Sequence, residues 1–210
     1  LTTLPGFHDG SLRLTALVGA RVLDPVGRLA GCRDEVDRLQ RLGWLATALP
    51  VDDLPVRVAH NDAKLANVLL DARTSEPVAV VDLDTVMAGT VLHDFGDLMR
   101  TLATCAPEDE ADLARVTVDE DCFAELVRGY LRGCGGLLTE MEREHLVLAG
   151  LAITWEQATR FLADHLAGDA YYPVTRPGHN LDRARNQLRL LEHLLAGVKR
   201  LQELVSAAAI

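Results

Sequence analysis

The chain has 210 residues, 49% hydrophobic, 25% charged and 4% aromatic, enough for a single folded domain with its own core and too structured in composition for a disordered or collagen-like chain. Its formal net charge of −10 has the wrong sign for wrapping nucleic acid or an anionic membrane surface, so any phosphate it handles needs local cations. Only Lys64 and Lys199 are lysines among the basic residues, which makes a lysine at any site informative.

In chain order, apolar residues at helical spacing predict a helix over Ser11 to Leu23, stopped by Asp24-Pro25, and a second amphipathic helix over Asp34 to Leu49, ending near Pro50. The pattern then changes. Val56 to Ala59, Asn67 to Leu70 and Val78 to Val81 are short β-branched or aliphatic runs between polar and Pro-containing pieces, and read as small strands. From Thr90 onward helices are expected over Val91 to Thr104, Glu108 to Val116, Glu120 to Gly133, Thr139 to Ala167 with a break near Gly150, and Leu181 to Ala208. The carboxylates after Pro107 suit a helix first turn, and Gly133-Cys134-Gly135-Gly136, which follows a helix, reads as an interhelical turn rather than a phosphate cradle. With no repeat and no low-complexity linker, residues 1–210 read as one α+β domain, mostly helical, with a small sheet in its first half.

Cys32, Cys105, Cys122 and Cys134 contain no C-x-x-C, which predicts reduced thiols, a cytoplasmic setting and no zinc site. No apolar run reaches the ~20 residues of a membrane span, and the start of the chain has no secretory pattern. His8, His60, His93, His145, His165, His179 and His193 form no H-E-x-x-H motif and read mostly as surface or satisfied core groups. G-x-S-x-G is absent, which disfavours serine hydrolase chemistry.

The chemistry concentrates in His60-Asn61-Asp62-Ala63-Lys64-Leu65-Ala66-Asn67 and, after a polar turn, Val81-Asp82-Leu83-Asp84. If the strands between them form a buried antiparallel hairpin centred on the turn, 71 faces 78 and 67 faces 82, and the Asn67 amide and Asp82 carboxylate converge as hard oxygen donors suited to Mg²⁺. Asp62, just before this end, can accept a hydroxyl proton, and Lys64 can neutralise a transferring phosphoryl group, so phosphoryl transfer to an alcohol is the expected reaction. Asp84 either assists the metal or caps the following loop. Each of these residues also fits a turn, a cap or, for Lys64, a solvated surface, and it is their joint spacing that favours a site.

The string H-x-D-x-x-x-x-N followed by D-x-D resembles the catalytic signature of the aminoglycoside phosphotransferase and choline kinase superfamily, relatives of the protein kinases. With His93-Asp94-Phe95-Gly96-Asp97, Thr154-Trp155-Glu156, Arg160 to Asp164 and Gly168 to Tyr172, it is most similar to the N-acetylhexosamine 1-kinase-like branch. The resemblance implies a protein-kinase-like C-terminal lobe using ATP and Mg²⁺, with Asp62 as catalytic base, Lys64 near the γ-phosphate, and Asn67 and Asp82 as metal and cofactor ligands. It makes His60 and Asp94 structural supports of the catalytic loop and places Arg160 and Tyr171 on a sugar. The acceptor it implies is the anomeric hydroxyl of an N-acetylhexosamine; an aminoglycoside or other small alcohol is the alternative. One feature departs from the pattern: the roughly sixty residues before the loop look helical and hold neither a Gly-rich loop nor a lysine, so the nucleotide lobe is expected to be absent. That departure keeps open a non-catalytic, pseudokinase-like binding module. The long last helix packs on the core and leaves room for a partner contact, an oligomer included.

Overall fold

The computed structural model describes residues 4–208. Its centre is a 22-residue helix, α6 (Leu146–Ala167), apolar on nearly every face and buried along its length, as a helix without a polar side must be. Packed around it are α7 (His179–Ala208), α3 (Val91–Leu102) and α1 (Gly10–Leu23). α2 (Arg33–Arg41) and α4 (Glu120–Cys134) lie against this group, and the short α5 (Glu140–Glu144) leads into α6. The core joins Leu17, Leu39, Phe95, Met99, Phe123, Trp155, Leu162 and Leu190, all essentially inaccessible to solvent. The Trp155 indole N–H donates to the Leu39 carbonyl at 3.0 Å, satisfying the one polar atom that this large side chain brings inside.

Two small antiparallel ribbons sit on this bundle: β1 (Arg57–Ala59) with β4 (Met87–Gly89), and β2 (Val68–Leu70) with β3 (Pro77–Val80). The molecule is thus mostly helical with a small β part, as expected. Among the described residues, no strand precedes Arg57 and no helix is long and apolar enough to cross a membrane.

Several sequence expectations need correction. The second helix ends at Arg41 and continues as a 3₁₀ turn over Gly43–Thr47. The expected helix over 108–116 shrinks to a 3₁₀ turn at Leu113–Arg115 because its acidic residues turn outward to other partners: Glu108 pairs with Arg100, Glu110 with Arg115 and Asp109 with His179. The break before α6 falls at His145 rather than Gly150, where a capping box between Thr139 and Glu142 sets off a five-residue turn. Gly150 lies inside α6, where a side chain would collide with Met99 Sδ. α4 runs on through Gly133 and Cys134, so the interhelical turn expected from Gly133 begins only at Gly135, at φ 54.

The hairpin also differs. It is exposed, not buried: Leu69, Val78 and Val80 are each about half accessible or more. Its register is Val68 to Val80 and Leu69 to Ala79, one residue from the expected pairing, with an irregularity at Leu70 where Pro77 cannot donate to the ladder. Asn67 therefore lies opposite Val81, whose N–H donates to the Asn67 carbonyl at 2.9 Å, and Asp82 is not its cross-strand partner.

Candidate active site

The catalytic-loop segment runs from the end of β1 into β2, and three contacts hold it. Asp94, in the first turn of α3, accepts from the His60 N–H at 2.9 Å and the Asn61 N–H at 2.7 Å, one on each carboxylate oxygen. The His60 ring spans the segment: Nε2 donates to the Val81 carbonyl at 3.0 Å, and Nδ1 accepts from the Asp62 N–H at 3.3 Å, which assigns the neutral Nε2–H tautomer. Thr85 Oγ1 donates to the His60 carbonyl at 2.7 Å. These bonds turn the backbone sharply enough that Asn61 sits at φ 62, a left-handed conformation that Asn tolerates better than most residues. Its amide is buried and donates to the carbonyls of Ala59 and Thr85, both at 3.1 Å. Burial pushes the Asp94 carboxyl up from its usual range, and the two N–H bonds hold it back only in part.

The loop delivers three functional side chains to one point. Asp62 Oδ2 accepts from Lys64 Nζ at 2.6 Å and from Asn67 Nδ2 at 2.9 Å, and the same amide donates to the Asp62 carbonyl at 2.8 Å. Among the described residues Asp62 Oδ1 has no hydrogen-bond partner, so one carboxylate oxygen is clamped and the other is open. Lys64 is therefore part of the carboxylate cluster and not a freely solvated surface group.

With its Nδ2 committed to Asp62, Asn67 turns its amide oxygen away without a hydrogen bond. Asp82, one residue beyond Val81, stands exposed at φ 64. Asp84 is likewise exposed, in the 3₁₀ turn Leu83–Thr85 that Asp82 precedes. An uncommitted amide oxygen and a carboxylate next to each other's strand ends are the hard, oxygen-only donors Mg²⁺ takes, so these residues fit the ion. Among the described residues the stretch before β1 contains helical elements, no strand and no lysine.

Arg160 and Tyr171 are brought together. The Arg160 guanidinium lies 5.1 Å from the Phe7 ring centre, 5.8 Å from that of Tyr171 and 5.6 Å from that of Tyr172, a nest of cation–π contacts. Tyr171 is largely exposed, and Asp164 fixes its backbone by accepting N–H bonds from residues 170–172.

A chain of buried charge that sequence reasoning passed over links this nest to the loop. His8 contacts Glu156 Oε2 at 3.1 Å through Nδ1 and the Asn61 carbonyl at 2.9 Å through Nε2, while Arg13 and Arg160 approach Glu156 Oε1 at 3.7 and 3.8 Å. Burial alone would raise the Glu156 carboxyl, but the charge and hydrogen bond of His8, with Arg160 and Arg13, hold it below its usual range. Burial alone would lower the His8 pKa, and the charge and hydrogen bond of Glu156 outweigh it and raise it above the usual value. His93 stacks on His8 at 4.3 Å between centres, and burial with the His8 charge drives its pKa down to about 3. A lone His some fifty residues upstream of a loop gives no local pattern. Only the quoted Trp155-Glu156 string carried a signal.

Beside Asn61 opens a cleft of about 650 Å³ whose lining includes Gly89, Glu156, Asp9, Asp52 and Asp53. Among the described residues no Lys or Arg lines it.

A carboxylate held by a lysine and an amide, on a small ribbon over a helical bundle, is an arrangement compatible with phosphoryl-transfer chemistry. The family comparison agrees. Residues 10–135, more than half of the chain and including the whole loop and Asp82, match the model of the phosphotransferase enzyme family, and the chain belongs to that family.

Proposed function

We propose that the chain is the catalytic lobe of an ATP-dependent small-molecule kinase in which Asp62 is the base that receives the acceptor hydroxyl's proton. The observation that carries this reading is the asymmetric hold on Asp62, with Oδ2 taken by Lys64 and Asn67 and Oδ1 open. A hydroxyl donating to Oδ1 would be oriented by a carboxylate that cannot rotate away, and its oxygen becomes a better nucleophile as the proton leaves. Lys64, already at the carboxylate, is positioned to place its positive charge beside the transferring phosphoryl group. Mg²⁺ held by the Asn67 amide oxygen and the Asp82 carboxylate would offset the charge developing on the phosphate oxygens. His60 and Asp94 act through the backbone by fixing where Asp62 stands.

For the acceptor, the resemblance favours the anomeric hydroxyl of an N-acetylhexosamine, with Arg160 and Tyr171 on the sugar. The exposed Tyr171 ring against the Arg160 nest provides a flat apolar face next to a fixed cation, a surface that suits a pyranose. A second reading has an observation of its own: Asp9, Asp52 and Asp53 line the cleft beside Asn61 and, among the described residues, no Lys or Arg lines it, which favours an amine-bearing alcohol such as an aminoglycoside. A non-catalytic binding module would have no use for the intact set of Asp62, Lys64, Asn67 and Asp82. Transfer from MgATP to a panel of N-acetylhexosamines, aminoglycosides and choline separates the three. Only the first two readings give a phosphorylated product, and its identity chooses between them.

A further inference from the structure

Away from this site, the loop between α3 and α4 folds back on itself and brings together three metal-type ligands: Cys105, Asp119 and Cys122. One ligand atom from each, the two thiol sulfurs and a carboxylate oxygen, lie within 4.8 Å of one another. We propose that they form a binding site for a borderline-soft divalent cation of the Zn²⁺ type, with the fourth position open to water.

The local fold orients the ligands before any ion arrives. Asp119 is the N-cap of α4: its Oδ1 accepts from the Cys122 N–H at 2.9 Å, and its own N–H donates to the Ala103 carbonyl at 2.8 Å, which pins the two ends of the loop together. With Oδ1 used in capping, Oδ2 is left facing Cys105 Sγ at 3.6 Å. In a tetrahedral site with Zn–S of about 2.3 Å and Zn–O of about 2.0–2.2 Å, neighbouring ligand atoms stand roughly 3.5–3.8 Å apart. The three atoms are therefore within about 1 Å of the required triangle, a distance that side-chain rotation can cover.

The chemistry matches: two thiol sulfurs and a carboxylate are the mixed donors that a borderline-soft divalent cation takes, and Asp121 on the same helix turn adds negative charge, while Glu120 is paired with Arg200. Cys105 and Cys122 are exposed, giving an ion direct access. A bound cation would displace the protons of the two thiols. The sequence disfavoured zinc because 105, 119 and 122 do not form the usual paired C-x-x-C; the hydrogen bond between 103 and 119 closes the gap in space.

The test uses the whole chain, reduced with a non-thiol reductant and stripped of metal, titrated with Co²⁺ and then challenged with Zn²⁺. The expected result is a thiolate-to-cobalt charge-transfer band that saturates at one ion per chain and is abolished by Zn²⁺. Cys105→Ser and Cys122→Ser should each weaken binding at least about tenfold, and Cys134→Ser should not. Asp119→Asn, which keeps a good N-cap and removes the charge, should also weaken it. Absence of the band, or a band unchanged in both Cys105→Ser and Cys122→Ser, would overturn the proposal. Circular dichroism of each variant shows that a lost band does not reflect a lost fold.

Discussion

Replacing Asp94 by Ala removes the carboxylate that receives two backbone N–H groups of the catalytic loop, at 2.9 and 2.7 Å. Hydrogen bonds to a charged acceptor contribute about 1.5–3 kcal/mol each, which puts the pair at ~3–6 kcal/mol. That range is an upper bound, because burial already costs the ionised carboxyl part of it, as the raised pKa shows, and because Asp94 keeps some contact with solvent. A net loss of about 2–4 kcal/mol is expected. For a chain of this size that corresponds to a fall in Tm of about 5–15 °C, measurable by circular dichroism and by urea denaturation with an unchanged m-value. Asp94→Asn should recover part of the loss, since its oxygen can serve one N–H while its NH₂ opposes the other. A change below ~0.5 kcal/mol in Asp94→Ala would refute the view that this carboxylate braces the loop.

Two further outcomes follow from burial. In the folded chain His93 stays neutral down to about pH 3, whereas unfolded it protonates near 6.5, so between those values the unfolded state binds the extra proton and stability falls as pH falls. The full shift corresponds to roughly 4–5 kcal/mol, and His93→Phe, which keeps an aromatic ring against His8, should remove a large part of the acid slope in urea denaturation; an unchanged slope would refute it. His8 acts oppositely and in a different window: its raised pKa adds stability fully present below 6.5 and lost as pH rises through the folded value. Gly96 lets α3 approach α6 closely, and a Cβ there would stand 2.6 Å from the Ala149 carbonyl oxygen. Gly96→Ala should therefore destabilise by about 1–3 kcal/mol despite a helix-propensity gain of up to ~1 kcal/mol, and a rise in Tm would contradict the packing argument.

The helical frame was largely legible because it is carried by periodicity: the predicted starts at Ser11 and Val91 lie within one residue of α1 and α3. What misled was local chemistry with distant partners. Glu108 and Glu110 looked like helix-start carboxylates and instead meet Arg100 and Arg115. Met87–Gly89 forms a strand without a β-branched residue, because β1 needs a partner for its backbone groups. The hairpin pairing assumed a symmetric turn, and the irregularity at Leu70 and Pro77 shifted it by one. In the site, Asp62, Lys64 and Asn67 do meet, since they lie within six residues, and Arg160 and Tyr171 meet as a pair. His8 and Glu156, which join the two groups, are 148 residues apart and were invisible as a pair to any local pattern.

The central claim is the role of Asp62, and the most direct measurement is phosphate transfer from MgATP across the acceptor panel by the chain and by Asp62→Asn. The variant should keep the wild-type Tm within a degree or two and lose transfer by about 10²–10⁴-fold, because Asn can still bond Lys64 and Asn67 through its oxygen but cannot take a proton. Transfer by Asp62→Asn at the wild-type rate would contradict that role.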